Sequence, residues 1–172
     1  QTANQSKPMP LYIPEDCCTL EEAVTRVEHD SRITTIVLGE GDHHIDGKYL
    51  DISSAMRIVG RPDVPKEKIV VVGGIHFKEG IEGNCHLQHM TLREAKFNGV
   101  NGWSSFTMED VLVEHCDGSG VVASGSGVVG RCTNVEVRHC GRSGVRAASG
   151  ASITLVGAKT TVHHNCTNGK SG

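Results

Sequence analysis

The apolar positions of this chain follow two periods. From Thr19 to His29, Leu20, Ala23, Val24 and Val27 recur at the spacing of one helix face, with Glu21, Glu22, Thr25 and Arg26 between them. Thr19 and Glu22 have the spacing of a capping box, in which each side chain satisfies a free backbone donor of the first turn. The pattern predicts a short amphipathic helix over about 19–29. Beyond it the period drops to two. Ile33–Leu38, Tyr49–Ile52, Met56–Gly60, Ile69–Val72 and Ile75–Phe77 are short, β-branched and bounded by glycine or proline, which predicts strands. Arg61–Pro65 reads as a loop, because neither Pro62 nor Pro65 donates to a ladder. Ahead of the helix, Pro8, Pro10 and Pro14 among polar residues predict a flexible lead-in over 1–14. The helix precedes every strand, which argues against βαβ units and for an all-β chain.

The second half repeats one phrase. Val113-Glu114-His115-Cys116-Asp117-Gly118-Ser119-Gly120-Val121 returns 24 residues later as Val137-Arg138-His139-Cys140-Gly141-Arg142-Ser143-Gly144-Val145. A worn copy starts at Val162, 25 residues on, and a fainter one at Leu92, 21 residues before the first. Self-similarity at this interval means stacked units, each too small to bury its own apolar face. With the copies anchored on Leu92, Val113, Val137 and Val162, the positions two earlier are Met90, Val111, Val135 and Thr160, and both rows point inward. Arg93, Glu114, Arg138 and His163 follow the anchor and point outward. Gly99, Gly120 and Gly144 turn a corner ahead of Val100, Val121 and Val145, which begin the next inward face.

A unit of this length holds two or three short strands, each pairing in parallel with its copy above and below at ~4.8 Å per layer. The expected fold is an all-β, right-handed parallel β-helix, a solenoid with a short N-terminal capping α-helix. About six layers give a rod roughly 30 Å long. The helix covers the open end of the coil, where bare strand edges invite aggregation. The expected division is a lead-in over 1–14, a single β-helix domain over 15–169 and a tail over 170–172. Gly169-Lys170-Ser171-Gly172 offers no cap, so further coils or a partner subunit are expected to cover the C-terminal edge. The start at Gln1 reads as a processed or excised piece.

Leu20-Glu21-Glu22-Ala23-Val24, Thr35-Ile36-Val37-Leu38-Gly39-Glu40-Gly41-Asp42-His43 and Met56-Arg57-Ile58-Val59-Gly60 resemble the N-terminal opening of pectin-lyase-like right-handed β-helix proteins. The repeats over 84–169 resemble those of the same superfamily, which occur in carbohydrate-active enzymes and in F-box-type and adaptor proteins. The resemblance covers roughly 15–169 and implies the fold more than an activity, because the matched residues are turn and core residues. The family often places Asn at the inner corner. Here Asn165 keeps it, while Cys116 and Cys140 replace it with thiols, which implies weaker hydrogen bonding down that ladder.

Composition adjusts the picture. Aromatics make up 3% and glycines number 21 in 172 residues, a core of small residues suited to thin regular layers. The formal charge is −3 without a long basic run, so no nucleic-acid footprint is expected. No stretch of ~18 apolar residues is present, so no membrane span is expected. The seven cysteines include no C-x-x-C, so a zinc knuckle is not expected, and Cys116, Cys132 and Cys140 in the repeats read as buried hydrophobes ahead of disulfides or metal ligands. Asn4-Gln5-Ser6 and Asn165-Cys166-Thr167 match the glycosylation acceptor pattern, which is common by chance.

Arg93, Glu114, Arg138 and His163 alternate in sign and read as a cross-layer ion-pair ladder, worth a few tenths of a kcal/mol per exposed pair, or as a glycan-contacting stripe. Glu94, His115, His139 and His164 form the next row. Three histidines about one layer apart could share a metal, but parallel stacking aims their nitrogens alike, so the row reads as a corner ladder with each ring held by a backbone group and no metal or cofactor. Glu109-Asp110 would face opposite ways in a strand and is a poor calcium site. His43-His44, by the Gly41 turn, reads as a surface pair, and Lys48-Tyr49 and Lys66-Glu67-Lys68 read as solvated. Trp103, the only tryptophan, lies in a turn between Gly102 and Ser104, where it could stack on a sugar. With no clustered acid, base or metal set, the expected function is a non-catalytic binding or scaffold module for a protein or polysaccharide partner. The alternatives are a carbohydrate-active lyase, hydrolase or epimerase, which rests on fold analogy, and a structural rod of a viral or cell-surface fibre.

Overall fold

Each strand of this protein lies beside its own copy in the next coil. The computed structural model describes residues 8–168. The first part of the lead-in, the Asn4-Gln5-Ser6 acceptor pattern, the end of the domain at 169 and the 170–172 tail lie outside the described residues. In chain order, β1 (Leu11–Ile13) and α1 (Leu20–His29) precede about six coils. The coils are β2 (Thr35–Leu38), β3 (Gly41–His44) and β4 (Leu50–Ile52); β5 (Arg57–Gly60), β6 (Ile69–Val72) and β7 (Ile75–Phe77); β8 (Cys85–Arg93) and β9 (Val100–Gly102); β10 (Phe106–Glu114) and β11 (Val121–Ser124); β12 (Val129–Thr133), β13 (Glu136–Arg138) and β14 (Val145–Ala148); then β15 (Ser152–Val156) and β16 (Thr161–His163). One face runs β1-β2-β5-β8-β10-β12-β15 and another β4-β7-β9-β11-β14. A third joins β3 to β6 and β6 to β8, then β10 to β13 and β13 to β16. The pairings are parallel, so the chain is a parallel β-helix. Nine-residue β8 and β10 serve two faces because they bend at His89 and Asp110, whose φ angles are 55° and 52°.

The repeat register holds residue for residue. Leu92 pairs with Val113, Val113 with Val137 and Val137 with Val162, while Val121 lies between Val100 and Val145. Leu92, Val113 and Val137 are buried, and each such side chain contributes roughly 1.5–3 kcal/mol of burial. Val162, at the same position in the last coil, is 42% exposed.

Helix α1 closes the other end. Thr19 Oγ1 accepts the Glu22 N–H at 3.1 Å, and Glu22 Oε2 accepts from the Cys18 N–H at 3.2 Å, one residue earlier than in a strict capping box. Its buried stripe of Leu20, Ala23, Val24 and Val27 joins the same core as Ile36 and Leu38. Two carboxylates tie it down: Glu21 accepts the Asp46 N–H at 2.8 Å, and Glu28 accepts the Ser53 N–H at 2.9 Å.

Two expectations are corrected by the fold, those for the lead-in and for Asp110. The lead-in is not loose over Leu11–Ile13, which pairs with Ile36–Leu38 because Leu11 and Ile13 alternate into the core. His43 and His44 lie at the surface in β3, His44 exposed and the His43 ring meeting the Gly39 carbonyl at 2.9 Å. Asp110 does not face away from Glu109 across a flat strand, because the chain turns left-handed there.

Candidate functional site

The outward row ends a face of the rod. Glu114 stands in register between Arg93 and Arg138, and Arg138 precedes His163. The Glu114 side chain is only 6% exposed. Its Oε1 accepts from Arg93 Nε at 3.0 Å and Nη2 at 2.9 Å, and its Oε2 accepts from Arg138 Nε and Nη2, both at 2.9 Å. Arg138 also meets Glu136 at 3.2 Å, and Glu136 meets His163 at 2.9 Å. Burial pushes the Glu114 carboxyl up, but Arg138 and Arg93 outweigh it and hold the acid below its ordinary value. The row is therefore an ion-pair ladder. Losing one partner costs more here than in a ladder of exposed pairs, because the central carboxylate is shielded from water. A carboxylate with a guanidinium on each oxygen is poorly placed to serve as a base.

The next row turns the corner. Glu94, His115, His139 and His164 all have left-handed backbone, with φ between 51° and 57°. The His115 and His139 rings stack with centroids 5.2 Å apart and planes 11° from parallel, and His139 and His164 follow at 5.6 Å and 30°. The expected backbone partners are not found: among the described residues no backbone group bonds the His115 or His139 ring, because each ring faces its neighbour. Burial, then His115 and His164, push the His139 pKa down. Among the described residues no group of three or more His, Cys, Asp or Glu side chains converges as a metal site.

One position inward, Asn165 holds the corner with two bonds, accepting the Cys140 N–H at 3.0 Å and donating to the Val137 carbonyl at 3.1 Å. Its amide is thus committed to the fold. Cys116 and Cys140 make only long contacts to the carbonyls of Glu114 at 3.7 Å and Arg138 at 3.6 Å. Both thiols are buried, so packing carries these rungs.

A charged triad lies on another corner, and sequence reasoning missed it. Asp110 Oδ1 meets Lys66 Nζ at 2.7 Å and its Oδ2 meets His89 Nδ1 at 2.6 Å, while His89 Nε2 meets the Val64 carbonyl at 2.6 Å. A carbonyl only accepts, so Nε2 carries a proton, and Nδ1 faces a carboxylate. Burial pushes the His89 pKa down, but Asp110 and the Val64 carbonyl outweigh it and raise it above the ordinary value. Lys66 is therefore not simply solvated. The 3₁₀ turn Lys66–Lys68 brings it over the β8–β10 corner, a closure that spacing alone does not signal.

Trp103 is remote from these rows in the sequence of corners, on the turn between β9 and β10. Its backbone N–H donates to the Phe77 carbonyl at 2.9 Å, and the residue is 47% exposed. The His76 ring meets the indole edge to face at 5.1 Å and 88°. The indole lines a cleft of about 490 Å³ with Ser104, Ser105, Ser124, Ser126, Ile81 and Val128. Ser104 is fixed in its wall, donating to the Lys78 carbonyl at 2.5 Å and accepting from Ile81 N–H at 3.1 Å. Ser105 accepts the Val129 N–H at 3.0 Å. The residues expected at the site thus separate: Arg93, Glu114, Arg138 and His163 form one ladder, and Trp103 forms part of a cleft of its own.

No helix among the described residues is long and apolar enough to cross a membrane. No protein-family model, curated protein or solved structure matches the chain.

Proposed function

We propose that this protein is a non-catalytic β-helix module that binds a glycan in the Trp103 cleft. The observation that carries the reading is an exposed indole beside a row of serine hydroxyls in a cleft of about 490 Å³. A sugar ring has an apolar C–H face that stacks on indole and hydroxyls that bond serine and backbone groups. The most strongly placed carboxylates support the non-catalytic part, since Glu114 has both oxygens engaged by arginines and Asp110 has its two engaged by Lys66 and His89. The likeness of residues 20–24, 35–43 and 56–60 to the pectin-lyase-like β-helices belongs to the same reading.

Trp103 supplies its own probe, as the only tryptophan in the chain. Neutral and acidic oligosaccharides titrated into the protein are expected to include one that shifts its emission without generating new chain ends. Trp103→Ala is expected to abolish that binding, measured by calorimetry, with the melting temperature nearly unchanged. New chain ends would establish an enzyme instead, and absence of binding across the panel would remove the glycan reading.

A further inference from the structure

We infer that a second face of the rod, a cationic groove separate from the Trp103 cleft, docks an acidic segment of a partner protein. The groove encloses about 570 Å³ and shares no lining residue with that cleft. It is cut by missing side chains. Phe97, Gly118 and Arg142 stack in one row: the Gly118 N–H donates to the Phe97 carbonyl at 2.7 Å, and the Arg142 N–H donates to the Gly118 carbonyl at 3.0 Å. The row therefore reads ring, gap, guanidinium. A Cβ at Gly118 would stand 2.7 Å from both the Phe97 carbonyl oxygen and Asn98 Oδ1, so the gap is built into the fold. Gly74 lets Tyr49 pack closely against its coil, since a Cβ there would stand 2.9 Å from the ring. Tyr49 lies across that coil, and its hydroxyl accepts the Asn98 N–H at 3.2 Å.

Charge then decides what fits. Lys48, Lys96, Arg142 and Arg146 line the groove and are exposed. Among the described residues none of these four forms an ion pair, whereas Arg32, Arg61, Lys66, Lys68, Arg93 and Arg138 all do. Asp117 is the single carboxylate in the lining. Uncompensated cations gathered in one groove, on a chain of formal charge −3, repel one another and favour an anionic occupant. The two arginines suit carboxylates, which they grip through two parallel bonds.

The aromatic residues separate peptide from sugar. Lys48 Nζ already sits over the Phe97 ring, 4.2 Å from its centroid, and Tyr49 tilts against the same ring at 6.1 Å. Phe97 therefore has one face taken by the Lys48 ammonium, yet remains 45% exposed. An acidic peptide presents carboxylates on flexible arms and apolar side chains that fit over Gly118 beside Phe97. A polysaccharide presents a C–H face, and Lys48 already covers one face of the Phe97 ring that would receive it.

The test is fluorescence anisotropy of labelled poly-L-glutamate with the whole protein. Binding is expected at low salt, weakening as salt rises. Lys96→Glu combined with Arg146→Glu is expected to reduce affinity about tenfold or more. Lys159→Glu, an exposed change elsewhere on the rod, and Trp103→Ala are expected to leave it nearly unaltered, so loss of the glycan reading would not remove this one. Circular dichroism checks that the double variant is folded. Tighter binding of polygalacturonate at matched carboxylate concentration, tighter binding of duplex DNA, equal loss in Lys159→Glu, or no binding of poly-L-glutamate would each overturn the proposal.

Discussion

His89 and His139 adopt the same left-handed backbone, at φ 55° and 54°, in two columns of one rod. They carry opposite electrostatics. His89 has an acceptor on each nitrogen, Asp110 and the Val64 carbonyl, and its pKa is raised. His139 lies between the rings of His115 and His164, and its pKa is lowered. Backbone shape at a corner therefore does not decide what a histidine does there. The residue in the neighbouring coil decides it, because parallel stacking places like positions within contact range of one another. An acid beside a histidine raises its pKa, as at His89, and flanking histidines lower it, as at His139.

The charged kind of column breaks most visibly at Glu114, its most buried member. Glu114→Ala leaves Arg93 and Arg138 facing each other without a counter-charge. The expected loss is about 3 kcal/mol in urea unfolding, within the range for removing one partner of a buried pair. A loss below about 0.5 kcal/mol, the scale of a surface pair, would show that the ladder is solvated and that the two kinds of column differ little. Asp110→Asn is expected to cost less, about 1–2 kcal/mol, because that side chain is 39% exposed and screened by water. It also removes the cause of the raised His89 pKa, so NMR titration is expected to find His89 moved down. An unmoved His89 would break the assignment of its charge to Asp110.

The contrast sharpens with pH, because the two histidines have opposite signs. A raised folded pKa means that the His89 contribution is fully present below the unfolded value, about 6.5, and is lost as pH rises through the folded value. A lowered folded pKa means that the His139 contribution is present above about 6.5 and is lost as pH falls through the folded value. His89→Gln is therefore expected to remove stability mainly on the acid side of neutrality, whereas His139→Gln is expected to improve relative stability there. Asp110, Glu114 and Glu136, all lowered, add a separate decline at lower pH, as the medium falls through their folded values. Stability curves of the same slope for both histidine variants would remove the distinction.

How much of this was legible in the sequence follows from the same physics. The repeat fixes register wherever a position is filled by like residues in successive copies, so Leu92, Val113 and Val137 align from their spacing alone. The ladder through Glu114 was legible for the same reason, since alternating sign at one repeat position leaves few other outcomes. The Lys66–Asp110–His89 triad was not. Lys66 reaches the corner from a proline-bounded excursion of 44 residues' separation, and nothing in a periodic pattern marks such a closure. The strand Leu11–Ile13 was hidden by flanking prolines, although its alternation of apolar and polar residues was there to be read. The burial of the last coil was illegible in another sense. Val162 has the right neighbour in Val137 yet is 42% exposed.

The smallest expected effect concerns the histidine column and zinc. Three imidazoles in adjacent coils look like a ligand set by composition. Geometry opposes this. Zinc binds imidazole nitrogens at roughly 2.0–2.1 Å arranged about one point, whereas rings stacked 5.2 and 5.6 Å apart, with planes 11° and 30° from parallel, aim their nitrogens side by side. Convergence would require the left-handed corners of separate coils to swing together, against the backbone bonds that join His115 N–H to the Arg138 carbonyl at 3.3 Å and His139 N–H to the His164 carbonyl at 3.1 Å. Zinc is therefore expected to leave the melting temperature unchanged, in the native protein and in His139→Ala alike. A rise of several degrees in the native protein that disappears in His139→Ala would mean that the coils yield to the ion, and that the difference between the two columns lies in occupancy and not in their neighbours.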